Sequence, residues 1–174
     1  VVLEGSSVEA DETYIGGKRA GKRGRGAEGK ILVVIAAQID GKRIGRIRLR
    51  RVADASADSL TYAVKETIEP GSIITTDGWE GYGQLETLGY KHKIVKPESN
   101  VGENLLPKCN MVASLLKRWL LGTHQGRVQH LDYYLDEFTF RFNRRTSSSR
   151  GMLFYRLVQQ ALMIEPVLAK NLIR

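Results

Sequence analysis

Ile31-Leu-Val-Val-Ile-Ala-Ala37 is an unbroken apolar run bounded by Lys30 and Gln38. A strand buried on both faces reads this way, because neither face alternates to polar. Asp40-Gly41 follows as a hairpin signal. The chain then returns through Ile44, Ile47, Leu49 and Val52, interleaved with Arg43, Arg46, Arg48, Arg50 and Arg51. This predicts a strand with a strongly basic face. Upstream, Val8-Glu-Ala-Asp11-Glu-Thr-Tyr14-Ile15 alternates in part and stops at Gly16-Gly17. Three antiparallel strands are therefore expected, the first two joined by the Gly-rich basic segment Lys18–Gly26.

Downstream the periodicity changes. Leu60, Ala63, Val64 and Thr67 fall on one side of a helix over Ala55–Ile68, which Pro70-Gly71 stops. Ser72–Thr76 predicts a short buried strand with Asp77-Gly78 at its end, Glu80–Leu88 a short helix closed by Gly89, and His92–Val95 a fifth strand. Pro97–Asn104 is a polar connection. A long helix starts at Pro107, a residue favoured in a first turn. Val112, Leu115, Leu116, Trp119 and Leu120 form its apolar stripe and Gly122 its expected stop. Further helices are predicted over Leu131–Asn143 and Met152–Met163, separated by Ser147–Ser149. The order gives a mixed α/β sheet, three antiparallel strands plus strands added by helical crossovers, with extra C-terminal helices. Length and the lack of a linker predict a single domain over residues 1–174.

The composition is that of a folded domain, 42% apolar and 26% charged. No stretch approaches the roughly 18–20 apolar residues of a bilayer span, and Val1–Ser7 lacks the pattern of a signal peptide. A soluble, cytoplasmic protein without membrane contact is expected. Cys109 is the single cysteine, which excludes an internal disulfide and a Cys-rich zinc site. His92, His124 and His130 are not spaced as a metal site. The net charge of +8 favours a polyanionic partner, since binding phosphates releases counterions.

Three polar residues stand where ligands gather in such a sheet. Asp11 lies on the first, central strand. Asp77 follows the fourth strand at its carboxyl end. Asn110 lies in the first turn of the long helix. Two carboxylates brought together repel unless cations separate them. Mg²⁺ takes one or two protein carboxylates and fills its other sites with water and phosphate. A pair of such ions activates the attacking oxygen and stabilises the leaving one in phosphodiester chemistry. Lys117 lies about two turns beyond Asn110, on the same helix face, placed to contact a phosphate.

These residues resemble those of DDE transposases from bacterial insertion sequences. Asp11 in Val-Glu-Ala-Asp-Glu-Thr-Tyr-Ile-Gly-Gly resembles the first acid, and Asp77 in Thr-Thr-Asp-Gly-Trp-Glu-Gly-Tyr the second. Asn110 through Ser114-Leu-Leu-Lys117-Arg118-Trp resembles the third-ligand helix and its lysine. Tyr134-Leu-Asp-Glu-Phe-Thr-Phe-Arg-Phe-Asn-Arg-Arg145 is similar to the C-terminal signature. The resemblance spans nearly the whole chain. It implies a ribonuclease-H-like fold shared with retroviral integrases and Mg²⁺ or Mn²⁺, two ions, as cofactor. It also implies double-stranded DNA as partner, cleavage at transposon ends, transfer of the freed 3′-hydroxyl into target DNA, and a homo-oligomer on DNA. The separate N-terminal DNA-binding region common in such proteins is not visible in this sequence. The third position is usually Glu in the wider class and is Asn110 here. An amide oxygen still binds a metal, but without charge, so a weaker second site is expected. Glu103 would substitute only if the helix began before Pro107.

Blander roles stand beside these. Asp77 before Gly is a turn residue, and Asn110 is a first-turn residue able to satisfy backbone donors. Lys18, Arg19, Lys22, Arg23 and Arg25 form a solvated loop or a DNA contact. The arginine-rich strand, with Arg46 and Arg48, is a phosphate-binding row or an edge charged against strand-on-strand pairing. Arg118 and His124 are further candidates for DNA contact. Trp119 and the Tyr133–Phe142 aromatics read as core. Glu12 points away from Asp11, and Glu137 either supports the site from behind or serves in packing or an arginine pair. Two rivals to a transposase remain: a DNA-binding derivative that has lost catalysis, favoured by Asn110, and a nuclease of the same fold without joining activity.

Overall fold

The computed structural model describes residues 2–3, 7–16, 30–96, 104–125 and 129–166. The chain divides into two compact units, 1–143 and 144–174. In the first, the strands are β1 (Ser7–Ile15), β2 (Ile31–Asp40), β3 (Arg43–Val52), β4 (Ile73–Thr76) and β5 (Lys91–Ile94). Its helices are α1 (Ala57–Thr67), α2 (Pro107–His124) and α3 (Leu131–Asn143). The second unit holds α4 (Arg150–Ala161). Among the described residues no helix is long and apolar enough to cross a membrane.

The five strands form one sheet in the order β3-β2-β1-β4-β5. β1 is central, antiparallel to β2 and parallel to β4. The apolar run of β2 serves both faces, as its lack of alternation requires. Leu32, Val34 and Ala36 join the core under α1 with Leu60, Ala63 and Val64. Val33, Ile35 and Ala37 join the core under α2 and α3 with Val112, Leu116, Leu135 and Phe138.

Several boundaries differ from the sequence expectation for identifiable reasons. The predicted helix over 80–88 is two 3₁₀ turns, Glu80–Tyr82 and Glu86–Leu88. Gly81 and Gly83 weaken helix propagation there. α2 runs through Gly122 to His124 and ends where Gln125 turns left-handed at φ 53. Register joins Asp40 to Arg43, so the turn residues are Gly41-Lys42, not Asp40-Gly41, and Gly41 takes φ 55.

The arginine row of β3 is divided rather than presented as one face. Ile47 is buried and Leu49 packs beside it against the α2/α3 core. Alternation therefore turns Arg48 and Arg50 to the α1 side, where Arg50 meets Glu66 at 3.5 Å. Arg51 reaches Asp132 of α3 at 3.5 Å. Arg46 lies at a register shift opposite Gln38, whose Oε1 accepts its N–H at 3.1 Å. A Cβ on Gly45 would stand 2.8 Å from that same oxygen. The outer edge of β3 is closed by α3: Asn143 Oδ1 accepts from Ile47 N–H at 2.7 Å and its Nδ2 donates to Ile47 C=O at 3.0 Å.

Candidate active site

The strands that carry the two acids, β1 and β4, pair in parallel just before them. Ser7 lies level with Ile73, Val8 with Ile74 and Glu9 with Thr75. Asp11 and Asp77 each lie two residues beyond the last paired rung, Glu9 with Thr75, Asp11 within β1 and Asp77 just past the end of β4. Asp11 shares its face of β1 with Glu9, the face against which α2 packs. Glu12, on the other face, accepts from Tyr82 Oη at 3.1 Å, as its alternation predicts.

Asp77 is held by a built turn. Its Oδ1 accepts from Trp79 N–H at 3.0 Å, and Trp79 Nε1 donates to Ala55 C=O at 3.0 Å. The turn role expected of an Asp-Gly pair is thus present, and it fixes the Asp77 side chain. Gly78 takes φ 81, and a Cβ there would lie 2.6 Å from Ile94 Cγ2. Buried Thr76 accepts from Gly78 N–H at 3.2 Å and bonds His92 Nε2 at 2.8 Å. Burial lowers the His92 pKa, opposed by Glu86.

α2 brings Asn110 and Lys117 to the same side. Its apolar stripe is as predicted, with Cys109, Val112, Leu116 and Leu120 buried, so Asn110 and Lys117 are exposed. Asn110 Nδ2 donates to Asn104 Oδ1. The Lys117 pKa is lowered by partial burial and by Lys30, while Asp11 opposes the shift. Lys117 therefore lies within electrostatic reach of both. The negative charge of Asp11 is felt elsewhere too: burial raises the Cys109 thiol pKa most, and Asp11 and Glu9 add to it.

Other residues singled out from the sequence are placed differently. Lys18, Arg19, Lys22, Arg23, Arg25 and Glu103 lie outside the described residues. Arg46 and Arg48 are on the edge strand β3, two strands from β1, and the structure does not bring them to the acid pair. Arg118 is exposed beside Lys117. His124 stacks on Tyr134, ring centroids 3.7 Å apart, and meets Trp119 edge-on at 4.7 Å, where it packs α2 against α3. Glu137 pairs with Arg141 at 2.8 Å. Tyr133 is 52% exposed, unlike Phe138 and Phe142. The sequence reading missed Glu9, which is 4% exposed and bonds the start of α2. It also missed Lys30. An acidic residue two positions before Asp11 shares its face by alternation, and that signal was legible.

Among the described residues no group of three His, Cys, Asp or Glu side chains is placed to hold a metal ion. The candidate donors are two carboxylates and an amide oxygen, Asp11, Asp77 and Asn110. That hard-oxygen set fits Mg²⁺ or Mn²⁺, which need few protein carboxylates.

A mixed sheet with helices on its faces and β1 at its centre is the ribonuclease-H-like architecture, shared with integrase catalytic cores. Residues 2–143 match the ISXO2-like transposase domain, and the chain belongs to that family of DDE transposase catalytic domains. A protein of Haemophilus influenzae described as transposase-like is 24% identical over 114 residues, 64% of this chain and 93% of that protein. The catalytic core domain of BIV integrase superposes with a TM-score of 0.56 at 11% identity, covering 90% of this chain and 98% of that one. That likeness establishes the shared fold.

Proposed function

We propose that this chain is a metal-dependent DNA transposase that cleaves transposon ends and joins the freed 3′-hydroxyl to target DNA. The observation that supports this reading is the parallel β1/β4 pairing, whose last rung, Glu9 with Thr75, lies two residues before Asp11 on one strand and two before Asp77 on the other. Asp11 and Asp77 would hold divalent ions, and Asn110 would offer its amide oxygen as a third donor. Bound Mg²⁺ or Mn²⁺, as a pair, would neutralise the acids, activate the attacking oxygen and stabilise the leaving one.

The chain's own residues supply the rest. The Asp77 turn and the β1 strand hold the acids before substrate arrives, so little reorganisation is needed at reaction. Lys117, in reach of Asp11, would bind a phosphate of the strand being cut. Arg118 and the Lys18–Arg25 segment would extend that contact along double-stranded DNA, and Lys30 adds a further cation beside Lys117. Water would be the first nucleophile and a DNA 3′-hydroxyl the second, with the protein acting as a homo-oligomer on paired ends.

The test is Asp11→Ala and Asp77→Ala, assayed for cleavage and strand transfer on duplexes carrying the ends that flank its own gene. Loss of both activities is expected, since the ions that these acids would hold serve both steps. Activity near that of the unaltered protein in either variant would refute the assignment. The uncharged Asn110 favours one second reading, a DNA-binding derivative without catalysis. Titration with Mn²⁺ separates the two, since that derivative would bind DNA and no metal.

A further inference from the structure

α2 begins without a local cap. The N-cap residue is Leu106, which makes no side-chain bond to the helix. The first amides of a helix have no partner within it and must be met elsewhere. Here they are met from another element, 99 residues away in sequence: Glu9 Oε2 accepts from Lys108 N–H at 2.7 Å and from Cys109 N–H at 3.1 Å. Lys108 Nζ lies 3.7 Å from the other carboxylate oxygen. Cys109 Sγ donates to Glu9 C=O at 3.3 Å. Glu9 is on β1, two residues before Asp11 and level with Thr75, two residues before Asp77. Asn110 directly follows Cys109.

We propose that Glu9 is a positioning residue whose buried carboxylate pins the first turn of α2 to β1 and so fixes Asn110 beside the two acids. This deepens the metal-site reading given above and rests on it. The physical case has two parts. A carboxylate at a helix N-terminus is favoured by the helix dipole, and one oxygen shared by two successive amides, with Lys108 Nζ on the other oxygen, restricts both the height and the rotation of the helix over the strand. Asn110 lies one and two residues from the amides so held. Its backbone is thus anchored by Glu9, and Asp11 stands two residues along the same strand. Groups that orient a ligand from outside typically cost 10–100-fold in metal affinity or activity when altered.

The experiment uses the full chain, with Mn²⁺ alone as the probe. Mn²⁺ affinity is measured by calorimetry, and thermal midpoints are taken in EDTA. Glu9→Gln keeps an acceptor oxygen for the two amides but loses the charge and the ion pair with Lys108. A fall in Mn²⁺ affinity of about tenfold or more is expected. Asn110→Ala should produce a similar fall, and Glu9→Gln with Asn110→Ala little beyond either alone, because coupled groups are not additive. A purely structural Glu9 would lower the thermal midpoint and leave affinity per folded molecule unchanged. That result, or losses that add, overturns the proposal. If Glu9→Gln does not fold, Glu9→Asp is read in the same cycle, since it keeps the charge and withdraws the carboxylate by one methylene. Asp11→Ala separates the two levels: undiminished Mn²⁺ binding there means that the metal site itself is wrong, whatever Glu9 does.

Discussion

Asn143 sits in the stretch that resembles a transposase signature, yet its contacts point to the sheet edge. Its amide takes the N–H and C=O of Ile47 at 2.7 and 3.0 Å, acting as one more rung beyond β3. In Asn143→Ala both bonds vanish. The carbonyl keeps Arg48 Nη1, which donates to it at 3.0 Å, whereas the N–H loses the partner shown. A net hydrogen bond contributes about 1 kcal/mol, and an unmet buried donor costs about 1–3 kcal/mol. Because the site is half-buried, water meets part of that demand, and a loss of about 1.5–2.5 kcal/mol is expected. With a urea slope of about 1–3 kcal/mol per molar, the midpoint should fall by about 1 M. Urea denaturation followed by circular dichroism measures it. Metal affinity of the folded fraction should stay unchanged, because β2 separates β3 from β1. A loss under about 0.5 kcal/mol, or intact stability with lost Mn²⁺ binding, would refute the reasoning.

Two other outcomes follow from the Asp77 turn. Gly78→Ala places a Cβ at φ 81 and within 2.6 Å of Ile94 Cγ2; a left-handed residue alone costs about 1–2 kcal/mol, so a lower thermal midpoint and a marked drop in end cleavage are expected, and unchanged cleavage would show that the turn does not set Asp77. The burial-lowered pKa of His92 means that the folded protein binds fewer protons than the unfolded chain just below the ordinary imidazole value of 6.5. Stability from this group is therefore full above that value and is lost as pH falls from it toward the lower folded value. Urea midpoints at pH 7.5 and 5.5 should differ more in the unaltered protein than in His92→Gln; equal differences would exclude the effect.

The sequence by itself determined the elements and which faces they bury. The run Ile31–Ala37 fixed a strand covered on both sides, since no polar alternation offers it a solvent face. The spacing of Val112, Leu116 and Leu120 fixed which side of α2 is inside, and so which side carries Asn110 and Lys117. The motifs around Asp11 and Asp77 were readable because local chemistry, an acid within an alternating strand and an acid before Gly at a strand end, is written in adjacent letters. Tertiary structure alone decided what depends on distant pairing. The β1/β4 register that pairs Glu9 with Thr75, the cap that Glu9 lends to α2 and the rung that Asn143 adds to β3 each join residues whose separation in the chain carries no periodic signal. The arginines of β3 show the same divide: their number is plain in the sequence, but alternation and a register shift at Gly45 decide which face each one serves.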